Sequence, residues 1–160
     1  NSNLEENLDL VSAIASKFGS QSVIASIDVR KIENDYFVFY ENGKKKSNID
    51  LKKYVVNLEN AGCGEIILTS IEHEGTRKGF DIDLYKLIQN EVHLPIIAHG
   101  GASDINSFNE LFDSTDISSA SAGSAFVYFG KRKAVLINYP EKKEIDVIMN
   151  KYEGYNISNV

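Results

Sequence analysis

Short runs rich in β-branched residues, each parted from the next by a stretch with helical spacing, constrain this 160-residue chain more than any other feature. Val23-Ile24-Ala25-Ser26-Ile27, Ile66-Ile67-Leu68-Thr69, Pro95-Ile96-Ile97-Ala98 and, more weakly, Asp116 to Ala120 are apolar without strict alternation, as strands covered on both faces are. Between them Leu51, Tyr54, Val55 and Leu58 recur at helical steps until Gly62, and Leu84, Leu87, Ile88 and Val92 do so until Pro95. Asp104 is placed to cap a further helix through Ile105, Phe108, Leu111 and Phe112. Leu4 to Phe18, with Leu8, Val11, Ile14 and Ala15 on one stripe, predicts a helix ahead of the first strand. Such alternation is the mark of βα units around a parallel sheet, so the fold class is α/β. Tyr36 to Tyr40 followed by Glu41-Asn42-Gly43 adds a hairpin, and Pro140 to about residue 153 a terminal helix. No linker divides the chain, which reads as one domain over 1–160.

Charge and composition remove several functions. The 17 Lys+Arg against 23 Asp+Glu leave a net charge of -6, and the densest basic runs are Lys44-Lys45-Lys46 and Lys131-Arg132-Lys133, too short to line a nucleic-acid groove. No apolar run approaches the roughly 20 residues that span a bilayer, so no membrane is expected and the character is cytoplasmic. The single cysteine, Cys63, and three scattered histidines give no metal-ligand spacing. Neither a metal nor a cofactor is expected. The chain begins Asn1-Ser2-Asn3 without an initiator, which reads as a cut or processed end of a larger parent.

Parallel βα architecture gathers ligands at the carboxyl ends of the strands, and each run here ends in polar or glycine-rich sequence. The first leads to Asp28, the second to Thr69 and then Glu74-Gly75-Thr76, the third to His99-Gly100-Gly101 and the fourth to Ala122-Gly123-Ser124. Gly75-Thr76, Gly100-Gly101 and Gly123-Ser124 let backbone amides approach an anion, so together they suggest a phosphate cradle, although any one glycine also serves a tight turn. Asp28 suits general acid/base work or a pair with Arg30; His99 suits a phosphate donor or a packed, hydrogen-bonded histidine. Glu65 precedes its strand, at the opposite end, where position alone gives it no catalytic role. Cys63 reads as structural.

The strings Phe18-Gly19-Ser20-Gln21 with Ile27-Asp28, Gly64-Glu65-Ile66-Ile67-Leu68-Thr69-Ser70 with Gly75-Thr76 and Gly79-Phe80-Asp81, and Pro95-Ile96-Ile97-Ala98-His99-Gly100-Gly101-Ala102 resemble HisF, the cyclase subunit of imidazole glycerol phosphate synthase. The resemblance runs to about Phe129 and covers the C-terminal half of that family's (βα)8 TIM barrel, so it implies a half-barrel of four parallel strands. It implies that Asp28 is the catalytic aspartate of ring closure, with its partner aspartate on the absent first strand. Thr69, Glu74, Gly75, Thr76, His99, Gly100, Gly101, Ala122, Gly123 and Ser124 fall where the family holds one substrate phosphate, and Asn1 and Ser2 at the edge of the other phosphate site. Glu65 matches a charged gate where ammonia enters from a HisH-like glutaminase partner. Glu74 stands where the family usually has Asp, and His99 where it commonly has Ser.

The tail Gly130-Lys131-Arg132-Lys133-Ala134-Val135-Leu136-Ile137-Asn138-Tyr139-Pro140 is similar to that of a HisF-like branch from bacterial surface-sugar clusters, which implies ammonia supply for an acetamidino sugar as the alternative to histidine biosynthesis. Two further readings stand beside these: a catalytically silent half-barrel acting by assembly, and an isomerase of the HisA type. An isolated half-barrel would need the missing N-terminal half or a second copy of itself to cover its open face and edges.

Overall fold

The computed structural model describes residues 4–129, 134–136 and 139–152. Helix α1 spans Leu4–Phe18 and turns Val11 into the core, with Leu8, Ile14 and Ala15 packed against it. A 3-10 turn at Ser20–Ser22 leads into strand β1, Ile24–Ile32, which runs beyond the apolar segment that announced it. The extension has a cause on its edge. From Asp28 onward β1 pairs antiparallel with β2, Asp35–Tyr40, in the register Asp28↔Phe39 to Ile32↔Asp35, and β2 pairs in turn with β3, Lys45–Asp50. The expected hairpin therefore joins the main sheet. Its turn is wider than an Asn-Gly pair, because Glu41, Asn42 and Gly43 all take positive φ, at 52°, 58° and 74°.

Helix α2, Leu51–Asn60, starts at Asp50, whose carboxylate accepts the Lys53 amide at 2.9 Å. Strand β4 is Glu65–Ser70 and α3 is Ile82–Ile88. The spacing through Val92 predicts a longer α3, but the chain tightens after Ile88, whose carbonyl accepts the Glu91 amide at 2.9 Å, and Val92 is buried outside the helix. Strand β5 is Ile96–His99; α4, Ile105–Ser114, is capped by Asp104 through the Asn106 amide at 2.9 Å. Strand β6, Ser119–Ser121, begins later than the run from Asp116, and α5 is the single turn Ser124–Val127. A small antiparallel pair of β7, Tyr128–Phe129, and β8, Ala134–Val135, was not expected from the sequence; α6 is Lys142–Tyr152. Gly130 to Lys133, Ile137 and Asn138 of the tail lie outside the described residues.

The sheet has the order β3-β2-β1-β4-β5-β6, and β1, β4, β5 and β6 are parallel neighbours in chain order. This is the α/β arrangement of one half of a (βα)8 barrel. One face carries Ile27, Val29, Ile66, Leu68, Ile96 and Ala98 into a core completed by Tyr54, Val55 and Leu58 of α2, Leu84, Tyr85 and Ile88 of α3, and Leu111 of α4. The other face bears Ile24, Ser26, Asp28, Glu65, Ile67, Thr69, Ile97 and His99, and Ile24 stays 54% exposed. This face corresponds to a barrel interior. Among the described residues, Ile24 to Ile27 have no neighbour on the edge away from β4, so the hairpin covers only the upper part of an edge that the sequence left wholly open.

Candidate functional site

Register settles which end of the sheet each polar residue occupies. Asp28 pairs with Thr69, Thr69 with His99 and His99 with Ser121, so these form one row across the parallel strands, on the open face. With neighbouring strands about 4.8 Å apart, Asp28 and His99 stand roughly 10 Å from each other with Thr69 between them. Asp28 lies mid-strand, as the first residue of β1 paired on both edges, with β4 on one side and β2 on the other. Glu65 pairs with Ile24 at the far end. Gln21 is there too, in the turn that enters β1, and a side-chain carbon at Gly64 would lie 2.3 Å from the Ser20 carbonyl oxygen, which explains the glycine beside Glu65. Cys63 is buried, its thiol donating to the Glu65 carbonyl at 3.1 Å, in keeping with a structural part.

Asp28 is not paired with Arg30. That guanidinium goes to Glu72, Nε to Oε1 at 3.2 Å, and lies 4.8 Å from the centre of the Phe39 ring. Among the described residues no hydrogen bond or ion pair reaches the Asp28 carboxylate. Burial pushes its carboxyl above the ordinary value, while the charge of His99 pulls the other way. A carboxyl raised above its ordinary value and held by no fixed partner is suited to take and give a proton.

His99 is held from three sides. Its Nδ1 lies 2.7 Å from Ser121 Oγ, its Nε2 3.3 Å from Glu74 Oε2, and its amide donates to the hydroxyl of buried Tyr85 at 3.1 Å. Glu74 is placed by the turn after β4, where its amide donates to the Ser70 carbonyl at 3.0 Å. The Thr76 hydroxyl donates back to the His73 carbonyl at 2.7 Å. Gly79 and Gly101 bind each other, amide to carbonyl at 2.8 Å, and an added carbon at Gly101 would lie 2.1 Å from the Gly79 oxygen. Gly101 is thus required by the packing of two loops. Gly123 differs, with φ of -110° and no atom of the described residues within 4 Å of an added carbon, so among them nothing imposes a glycine there and the space beside it is open. Gly75 is also open, at positive φ; Gly100 would crowd the Ser70 carbonyl and Glu74. Ala122 and Ser124 follow β6 on either side of Gly123. Asn1 and Ser2 lie outside the described residues.

Asp81 went unsingled by the sequence reading. It is 7% exposed, and its carboxylate accepts the Tyr36 hydroxyl at 2.7 Å, the Ser70 hydroxyl at 3.1 Å and the Leu84 amide at 3.3 Å. The loop that carries Glu74 and Gly75 thus leaves from one partner of this carboxylate and returns at the carboxylate itself. Arg77 fastens the same loop outward, donating to the carbonyls of Ser103 and Tyr128, each at 3.1 Å. The available signal for Asp81 was its N-cap position before the apolar spacing of α3. Ser121 was visible as a strand-end residue, but its partnership with His99 depends on register that periodicity does not give. Among the described residues no cluster of His, Cys, Asp or Glu is arranged to hold a metal ion.

Residues 1–133 match the family model described as histidine biosynthesis protein. A Pseudomonas aeruginosa protein that bears the name hisF2 of imidazole glycerol phosphate synthase is 46% identical over 142 residues, 88% of this chain and 57% of its own length. The Sulfolobus acidocaldarius HisF of that synthase is 48% identical over 103 residues, 64% of this chain and 41% of that one. The Natranaerobius thermophilus HisF is 36% identical over 147 residues, 92% and 59% of the two chains. The chain spans about half the length of these relatives. A family match that covers most of the sequence, together with the four parallel strands and their polar row, leads to one conclusion: the chain belongs to the HisF family of histidine-biosynthesis proteins.

Proposed function

We propose that this chain is the C-terminal half of a barrel that closes a ring on a phosphorylated substrate with ammonia, as in imidazole glycerol phosphate synthase. The observation that carries this is the row Asp28, Thr69, His99 and Ser121 at one end of the parallel strands, with Glu65 at the other. Asp28 is the general acid/base: its raised carboxyl exchanges the protons that ring closure must move. Gly101, open Gly123 and the neighbouring Thr69, Glu74, Gly75, Thr76, Gly100, Ala122 and Ser124 receive one phosphate, with His99 beside them, and Asn1 and Ser2 border the other. Ammonia from a HisH-like glutaminase enters past Glu65 and travels along the interior face. The first half of the barrel, or a second copy, completes that interior. The test is turnover of the synthase's two-phosphate substrate by the complete protein, once with ammonium salt and once with glutamine and the partner. Turnover under both conditions supports the proposal; none with ammonium salt overturns it.

One observation favours a second reading, ammonia supply for acetamidino modification of a surface sugar. Glu74 and His99, the positions at which the chain departs from the resemblance, touch each other, which is the pattern of a mouth rebuilt as a unit. Ammonium-dependent amidination of a sugar substrate without ring closure would select this reading.

A further inference from the structure

Both ring nitrogens of His99 are committed, and the commitments differ in kind. Glu74 Oε2, 3.3 Å from Nε2, is an acceptor when ionised, so Nε2 carries the hydrogen. In the neutral ring Nδ1 is then a lone pair, and the Ser121 hydroxyl, 2.7 Å away, spends its only hydrogen on it. In the imidazolium the roles reverse. Nδ1 donates to the Ser121 oxygen, and the hydroxyl hydrogen is released to point away from the ring.

The groups that bear on this ring are Glu74 from the loop after β4, Tyr85 from α3 and Ser121 from β6 in contact, and Asp28 from β1 at longer range across Thr69. Two of these groups are carboxylates. Tyr85 acts on the backbone of His99 and leaves the ring nitrogens free for the other two. Beyond Ser121 the chain passes to Gly123, where an added carbon would meet no atom of the described residues within 4 Å.

We propose that His99 is the specificity-determining residue of this mouth, selecting an anionic group because protonation of the ring turns Ser121 from an internally used hydroxyl into a donor for the ligand. The inference rests on the reading of this end of the sheet as the phosphate-binding end. A neutral group gains little from the exchange, whereas an anion gains both a hydroxyl donor and a nearby positive charge. Proton uptake and anion binding are then linked, and each strengthens the other by the same factor. A tenfold preference of the anion for the protonated form raises the midpoint of the ring by about one pH unit.

The experiment follows the ring proton signals of His99 by NMR in the protein expressed from its complete gene, titrated across neutrality in sodium sulfate and in sodium chloride of equal ionic strength. Sulfate keeps its double charge throughout, so any linked proton belongs to the protein. The expected result is a His99 midpoint higher by about one unit in sulfate, an unmoved midpoint for exposed His93, and loss of the His99 displacement in Ser121→Ala. Saturable sulfate shifts at the Gly101 and Gly123 amides with an unmoved His99 midpoint would overturn this inference and leave the phosphate end standing. An equal displacement in Ser121→Ala would overturn the hydroxyl exchange. Absence of saturable amide shifts would overturn both the inference and the phosphate end.

Discussion

Replacing Asp81 by alanine should cost the protein about 3–5 kcal/mol, far more than its place in a loop suggests. The carboxylate accepts from Tyr36, Ser70 and Leu84 at 2.7, 3.1 and 3.3 Å, and it is 7% exposed. Each bond to a charged acceptor is worth roughly 1.5–3 kcal/mol where water cannot substitute, and a lost helix cap about 1 kcal/mol. Tyr36 is half-buried and regains water in part, which keeps the total below a simple sum. Urea unfolding of the complete protein is the assay, and with a slope near 2 kcal/mol/M the midpoint should fall by about 2 M. Because a loss of that size takes much of a domain's stability, Asp81→Asn, which keeps one carbonyl acceptor, provides a milder series member. Combined with Tyr36→Phe, the two single effects should fall short of additivity by about 1–2 kcal/mol, since removing either partner removes the same bond. A loss under about 1 kcal/mol, or strict additivity with Tyr36→Phe, would refute the assignment of Asp81 as the tie between hairpin, β4 and the loop of Glu74.

Other consequences are equally checkable. Asp28 is raised by burial, so it favours the folded state at low pH and loses that contribution as pH rises through its folded value. Asp28→Asn should therefore be more stable than the parent above that value, and a chemical-denaturation series across pH that shows the reverse sign would contradict the burial. Gly101→Ala should lose about 3 kcal/mol or more from contact with the Gly79 carbonyl and positive φ, whereas Gly123→Ala should stay within about 0.5 kcal/mol and weaken binding of a phosphate ester, as calorimetry would register. Glu65→Ala should spare turnover with ammonium salt and depress turnover with glutamine and its glutaminase; equal loss in both would remove Glu65 from the ammonia path.

The four parallel strands were legible because both faces of such strands are covered in a closed barrel, which writes unbroken apolar runs into the sequence. Asp104 and the stripe of α1 were legible for the same kind of local reason. The length of β1 was not, since its second half is held by pairing with β2 and Arg30 and Lys31 give no strand signal of their own. The early end of α3 depends on a turn at Gln89 to Glu91 that periodicity through Val92 conceals. At the candidate site, strand-end position singled out Asp28, Thr69 and His99, which register sets in one row. It did not find the carboxylate of Asp81 or the link between His99 and Ser121, because both are made by residues from separate strands and loops whose meeting only register decides.

The central claim is that the row beginning at Asp28 is the reactive end of a barrel. Its most direct measurement is ammonium-dependent ring closure by this chain combined with a separately produced N-terminal half, run in parallel with Asp28→Asn. The account predicts turnover for the parent pair and a fall of at least about a hundredfold in the variant, with the far-ultraviolet spectrum of the two unchanged. Equal turnover in the two, or none from a pair shown to assemble, would contradict it.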